Sequence, residues 1–157
     1  MGVDAKLRDA ILAAVPQQPP FRFIDEIIEM DENRITGAYR FKENEFFYPG
    51  HFPGNPITPG VILIETMAQS GIVALGIYNI LLQNNLAIDQ VGRVITLFSY
   101  AEGVEFLRPV LPGERVIVHG EKIHYRRGSF KAKVSAEGED GSPICSGILT
   151  GVEKLEK

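Results

Sequence analysis

His51 and Glu65 are the two side chains whose types and spacing could do chemistry. The histidine lies in GHFPGNPITPG (residues 50–60), where Pro53, Pro56 and Pro59 fix φ and Gly50, Gly54 and Gly60 allow turns a side chain would forbid. That segment is therefore held in one path. It leads into a stretch so apolar that Glu65 is the only formally charged side chain between His51 and Asp89. A carboxylate in such surroundings is costly to ionise. An imidazole neutral at pH 7 beside a carboxyl kept protonated is an acid/base pair. Gln69, four residues beyond Glu65 on the same helical face, is placed to hydrogen-bond and orient the carboxyl. The competing reading is an ordinary loop histidine and a glutamate that reaches water from a helix edge.

The element that must carry Glu65 is a helix over residues 61–82. Thr58 is its expected N-cap and Pro59 its first helical residue, where a missing N–H costs nothing. Its apolar residues fall on nearly every face, which requires enclosure. Asn84-Asn85 is the expected stop. Upstream, residues 4–15 read as a short amphipathic helix ended by Pro16, and QQPP (17–20) as an extended connector. Residues 23–30 and 35–41 read as paired strands around a polar turn at 31–33. Further strands are expected over 91–98, 115–125 and 144–152, with residues 130–136 alternating between core and solvent. Turns are expected at 126–129 and 139–141. One hairpin, one buried helix and a strand meander make an α+β domain.

The run GHFPGNPITPGVILIETMAQ (50–69) closely resembles the signature of the 3-hydroxyacyl-(acyl carrier protein) dehydratases of bacterial fatty acid synthesis. VEFLRPVLPGE (104–114) resembles that family's second most recognisable run. The resemblance covers residues 20–152. It implies a hot-dog fold, in which a curved antiparallel sheet wraps a long central helix. His51 and Glu65 fall on the family's catalytic histidine and acid. A glutamate leans toward the members that dehydrate without isomerising the double bond, since the isomerising group usually carries Asp there. The resemblance further implies a cis peptide between His51 and Phe52 and no metal or redox cofactor. It implies a homodimer, with assembly to a hexamer as a possible further step, in which each site takes His from one subunit and Glu from the other. The implied partner is an acyl carrier protein, which is acidic. Arg108, Lys122, Arg126 and Arg127, with Lys131 and Lys133, are the cations expected to meet it, although solvated strand edges are the plainer reading of each. One departure stands out. Where family members carry a His-Arg pair before an apolar PF segment, this chain has Gln17-Gln18-Pro19-Pro20-Phe21-Arg22.

Dehydrating a 3-hydroxyacyl thioester needs a base for the C2 proton and an acid for the departing C3 hydroxyl, each typically contributing ~10²–10⁴-fold. His51 is read as base and Glu65 as acid. The variant in which Glu65 holds a water while His51 moves both protons stays open. Charge developing on the thioester oxygen needs donors, and the amides of Gly60 or Val61 at the helix N-terminus are placed to supply them; alternatively Gly60 only serves the turn. Gly71 and Gly76 leave room for an acyl chain, for a partner helix or for close packing on the sheet. Rival readings are an acyl-thioesterase on the same fold, told apart by release of free acid, and a non-catalytic carrier-binding subunit, which has no need of the His51/Glu65 pair.

Bulk properties narrow the field. A chain of 157 residues is expected to form one domain and to bury about two-thirds of its unfolded surface. A net charge of −4 offers no global field for nucleic acid. The single cysteine, Cys145, excludes an intrachain disulfide and fits a cytoplasmic protein. Residues 1–16 lack the long apolar core of a signal peptide. The central helix has about the length of a membrane span, but Glu65, Gln69, Ser70 and Asn79 argue against one. Cys145, His119 and His124 show no metal-ligand spacing.

Overall fold

In the computed structural model, which describes residues 2–156, the apolar run is one continuous helix, α2, spanning Gly60–Asn84. Residues of every face are buried along it, as its all-round apolarity requires. By length and composition it could cross a membrane, yet 78% of its most apolar window is covered by the rest of the molecule. Its middle, Gln69–Ala74, widens into a π-helical turn between two α-helical segments. Thr58 is not its cap. The Thr58 hydroxyl bonds that of Tyr48 at 2.7 Å, and Pro59, not Thr58, occupies the cap position, with no side-chain bond there. At the other end Asn85 takes the left-handed conformation, φ 51°, as a helix stop that asparagine tolerates.

The N-terminal helix, α1, covers Ala5–Ala14; Asp4 caps it by accepting the Leu7 N–H at 2.8 Å, and Ile11 anchors its apolar stripe in the core. Six antiparallel strands follow: β1 Glu26–Met30, β2 Arg34–Arg40, β3 Arg93–Phe106, β4 Arg115–Arg126, β5 Ser129–Gly138 and β6 Pro143–Glu156. They form one sheet in the order β1-β2-β4-β5-β6-β3. The sheet curves around α2, which is the hot-dog arrangement implied by the signature run.

Three strands differ from their expected bounds, each for a local reason. β1 starts at Glu26; Phe23, within the expected strand, gives its N–H to the Gln69 side chain at 2.6 Å and not to a neighbouring strand. β3 runs eight residues past the expected end, through bulges between Phe98 and Tyr100 and between Glu102 and Glu105 that break its alternation. β6 continues to Glu156 by pairing with the start of β3. In β5 the expected alternation holds, with Phe130, Ala132, Val134 and Ala136 buried. Arg127 and Gly128, at φ 53° and 75°, make the tight turn from β4 to β5.

The seat of α2 on the sheet is set by two glycines. A Cβ on Gly120 of β4 would lie 2.8 Å from the Gly71 Cα, and one on Gly71 would lie 2.5 Å from the Val134 Cγ1. Backbone meets backbone there: a side chain at Gly120 would lift the helix off the sheet, and one at Gly71 would have to displace Val134. Close packing is therefore the role of Gly71. Gly76 is looser, with a Cβ finding only ordinary contact with Phe130 at 4.0 Å.

Candidate active site

The loop before α2 fixes the histidine. Ile57 donates its N–H to the His51 carbonyl at 2.9 Å, and His51 Nδ1 lies 2.8 Å from the Ile57 carbonyl oxygen. A carbonyl only accepts, so Nδ1 carries the hydrogen and the neutral ring presents its lone pair at Nε2. The loop itself is tied down where Thr58 donates its N–H to the Val110 carbonyl at 2.9 Å. The His51–Phe52 peptide is cis, as the resemblance implied, and the two rings stack at 4.1 Å.

Glu65 lies on the second turn of α2, half-buried. Gln69, fully buried, donates its amide N–H to Glu65 Oε1 at 3.0 Å. Gln69 is itself fixed at both ends, since its oxygen accepts from the Phe23 N–H at 2.6 Å and its nitrogen also donates to the Phe21 carbonyl at 2.9 Å. That leaves Gln69 one way round, with its donor toward the carboxyl. Burial pushes the Glu65 carboxyl above the usual carboxylate range, and the Gln69 hydrogen bond partly opposes this. Ala68, Ile72, Val73 and Phe98 make the apolar wall of its pocket.

Within one chain no hydrogen bond or ion pair joins His51 and Glu65. Among the described residues the only side-chain partner of Glu65 is Gln69, and His51 pairs with Ile57 and Phe52. Gly60 opens α2 with the Phe106 ring packed on it, so that a Cβ would fall 3.0 Å from that ring. Neither the Gly60 nor the Val61 N–H has a backbone acceptor among the described residues, and Val61 is 73% exposed. These are free donors at the positive end of the helix.

The expected docking cations divide. Arg108 is held by both carboxylate oxygens of Glu114, at 3.1 and 2.6 Å, and Lys122 by the Asn79 side chain at 2.9 Å with Glu32 at 3.6 Å. Lys131 is paired with Glu102 at 3.6 Å. Lys133 is exposed. Arg126 and Arg127 stand exposed at the β4–β5 turn. Cys145 is buried, its thiol pushed up to about 11 by desolvation. Among the described residues no group of three His, Cys, Asp or Glu side chains is placed to hold a metal ion.

Two features were not read from the sequence. The backbone of Phe21 and Phe23 orients Gln69, and Gln17 lines the Glu65 pocket. Residues 17–22 drew attention only as a departure from a pattern. A contact made across some fifty residues of chain by a peptide group leaves no mark in side-chain types.

A FabA-like domain matches residues 15–146. The chain is 38% identical to the 3-hydroxyacyl-(acyl-carrier-protein) dehydratase FabZ of Thermus thermophilus, over 90% of this chain and 95% of that protein. It is 35% identical to the FabZ of the same description from Roseiflexus castenholzii, over 94% of this chain and 96% of the relative. Among solved structures it resembles the dehydratase heterocomplex ApeI:P from Xenorhabdus doucetiae, with a TM-score of 0.74 at 13% identity over 93% of this chain and 91% of that one. A hypothetical thioesterase with coenzyme A from Streptococcus pneumoniae matches at a TM-score of 0.56 and 13% identity, over 84% and 87%. At those identities the two structures speak for the shared fold.

Proposed function

The chain belongs to the FabA-like family, and from that premise we propose that it is a 3-hydroxyacyl-(acyl carrier protein) dehydratase. It converts a (3R)-3-hydroxyacyl thioester into the trans-2-enoyl thioester and water. The observation that carries this reading is Glu65, a carboxyl in an apolar pocket whose neutral form burial favours and whose orientation Gln69 fixes. His51 Nε2 takes the C2 proton, and that electron pair becomes the C2–C3 double bond. The C3–O bond breaks as Glu65 gives its proton to the hydroxyl, which leaves as water. The proton on His51 then returns to Glu65 through solvent or product water. The amides of Gly60 and Val61 hold the thioester oxygen while it carries charge.

The two residues act across a subunit boundary. The lack of any hydrogen bond or ion pair between them within one chain supports this, and so does β3, an edge strand showing Leu97, Phe98, Tyr100 and Phe106 to solvent. An edge of that length and apolarity calls for a cover. Phe98 belongs both to that edge and to the wall of the Glu65 pocket. A second copy joined at β3 therefore covers the edge and closes the site. Arg126, Arg127 and Lys133 are the expected cations left exposed to meet an acidic carrier protein, and Arg126 and Arg127 stand together at one turn. Reversing both charges is expected to raise KM for carrier-bound substrate and spare a free pantetheine thioester; equal effects on the two would remove that surface from the account.

Mass spectrometry of carrier-bound 3-hydroxyacyl chains tests the reaction. The expected product has lost one water with its thioester intact, and His51→Ala lowers its formation by ~10²–10⁴-fold. Unchanged turnover in that variant, or free acid as the product, contradicts the reading.

A further inference from the structure

The Glu65 pocket has a polar member with no task so far. Gln17, from the connector after α1, lines it together with Glu65. Its side-chain oxygen is buried and no donor among the described residues reaches it. A buried acceptor left this way is unfavourable unless something supplies a hydrogen. Glu65 has the complementary vacancy: Oε1 takes the Gln69 N–H, and Oε2 has no partner among the described residues. A neutral carboxyl carries one O–H to give.

We propose that Gln17 is a positioning residue whose side-chain oxygen accepts the proton of neutral Glu65. The acid then sits between two amides, Gln69 giving to one oxygen and Gln17 receiving from the other. Gln17 sets the rotamer of the O–H and keeps the proton on the carboxyl until substrate arrives. The proposal rests on reading Glu65 as the proton donor and deepens it.

The surroundings leave few rivals. On α2 the pocket is lined by apolar side chains, on β6 by Gly151, and on β3 by Phe98 and Thr96. Among the described residues the Thr96 hydroxyl is the one side-chain hydroxyl in the wall, and no second titratable group lines the pocket. On the connector the nearest cation is Arg22, which is spent on the carbonyls of Leu12, Val15 and Gln17. In the proposed dimer His51 of the partner subunit faces the same carboxyl.

Carbon-13 NMR of labelled glutamate side chains in the full-length protein reads the result without any substrate. The Glu65 signal is assigned by its loss in Glu65→Gln, and the titration is repeated with His51→Ala to remove coupling to the imidazole. A hydrogen bond to the neutral form raises a carboxyl's midpoint, so Gln17→Met is expected to lower it by roughly half to one unit. Thr96→Val is expected to leave it in place. An unchanged or raised midpoint in Gln17→Met overturns the proposal, as does a fall in Thr96→Val alone. Should Gln17→Met not fold, Gln17→Asn withdraws the amide by one methylene and is held to the same outcomes. Because no turnover is measured, a failure here leaves the dehydratase reading standing. A wild-type protein inactive on hydroxyacyl thioesters would fail that reading and not this titration.

Discussion

At the scale of single residues the site is a question of where protons rest. Glu65 is neutral more readily in the folded chain than in the unfolded one, because burial outweighs the Gln69 hydrogen bond. Its folded pKa is therefore raised. Between the unfolded value of 4.5 and the raised folded one, the native state binds more protons, so stability falls as pH climbs through that window. Glu65→Gln removes the charge at nearly constant shape. It is expected to raise the melting temperature at pH 7 to 8, with the gain fading at pH values below the unfolded midpoint. A gain that persists at low pH, or a loss at pH 7, would show that Glu65 is not held neutral by burial. His51, Glu65 and Gln69 were legible because their residue types are out of place: a histidine in a stiffened bend, and one carboxyl and one amide on a greasy helix. Gln17 was not, because a glutamine in a connector is ordinary and only the fold brings it to the pocket.

At the scale of elements, the approach of α2 to β4 positions the acid. Gly71 and Gly120 allow it together, but they do not tolerate change equally. An added methyl at Gly71 meets a side-chain methyl of the buried Val134, which gives more readily than main chain, whereas one at Gly120 meets the helix backbone. Gly120→Ala is expected to cost about 1–3 kcal/mol and to lower activity by displacing α2; Gly71→Ala is expected to cost less. Thermal melts of the two variants decide it, and a reversed order would contradict this account of the seat. The apolar run announced α2 and the alternation announced β5. The cap was misread because Thr58 is a good cap by type, yet its hydroxyl finds Tyr48 first. β3 was cut short because its two bulges erase the period on which a strand is recognised. Gly120 carried no signal at all, since its meaning lies in what α2 brings against it.

At the scale of the whole molecule, the covered helix follows from the pattern of the chain, while the place of β3 at the far edge beside β6 does not, and no hydrogen bond or ion pair joins His51 and Glu65 within one copy. The loop that carries His51 and the turn that carries Glu65 belong to neighbouring stretches, yet their side chains find other partners. The unpaired face of β3 and the Phe98 ring at the pocket wall point to a twofold arrangement that brings them together. Mixing two inactive variants, His51→Ala and Glu65→Gln, through unfolding and refolding tests this most directly. If each site draws its histidine from one subunit and its acid from the other, every mixed dimer regains one intact site. Statistical mixing then restores about a quarter of the wild-type activity. If both residues serve within one chain, mixed dimers hold only damaged sites, and activity that stays at the level of the separate variants would contradict the account.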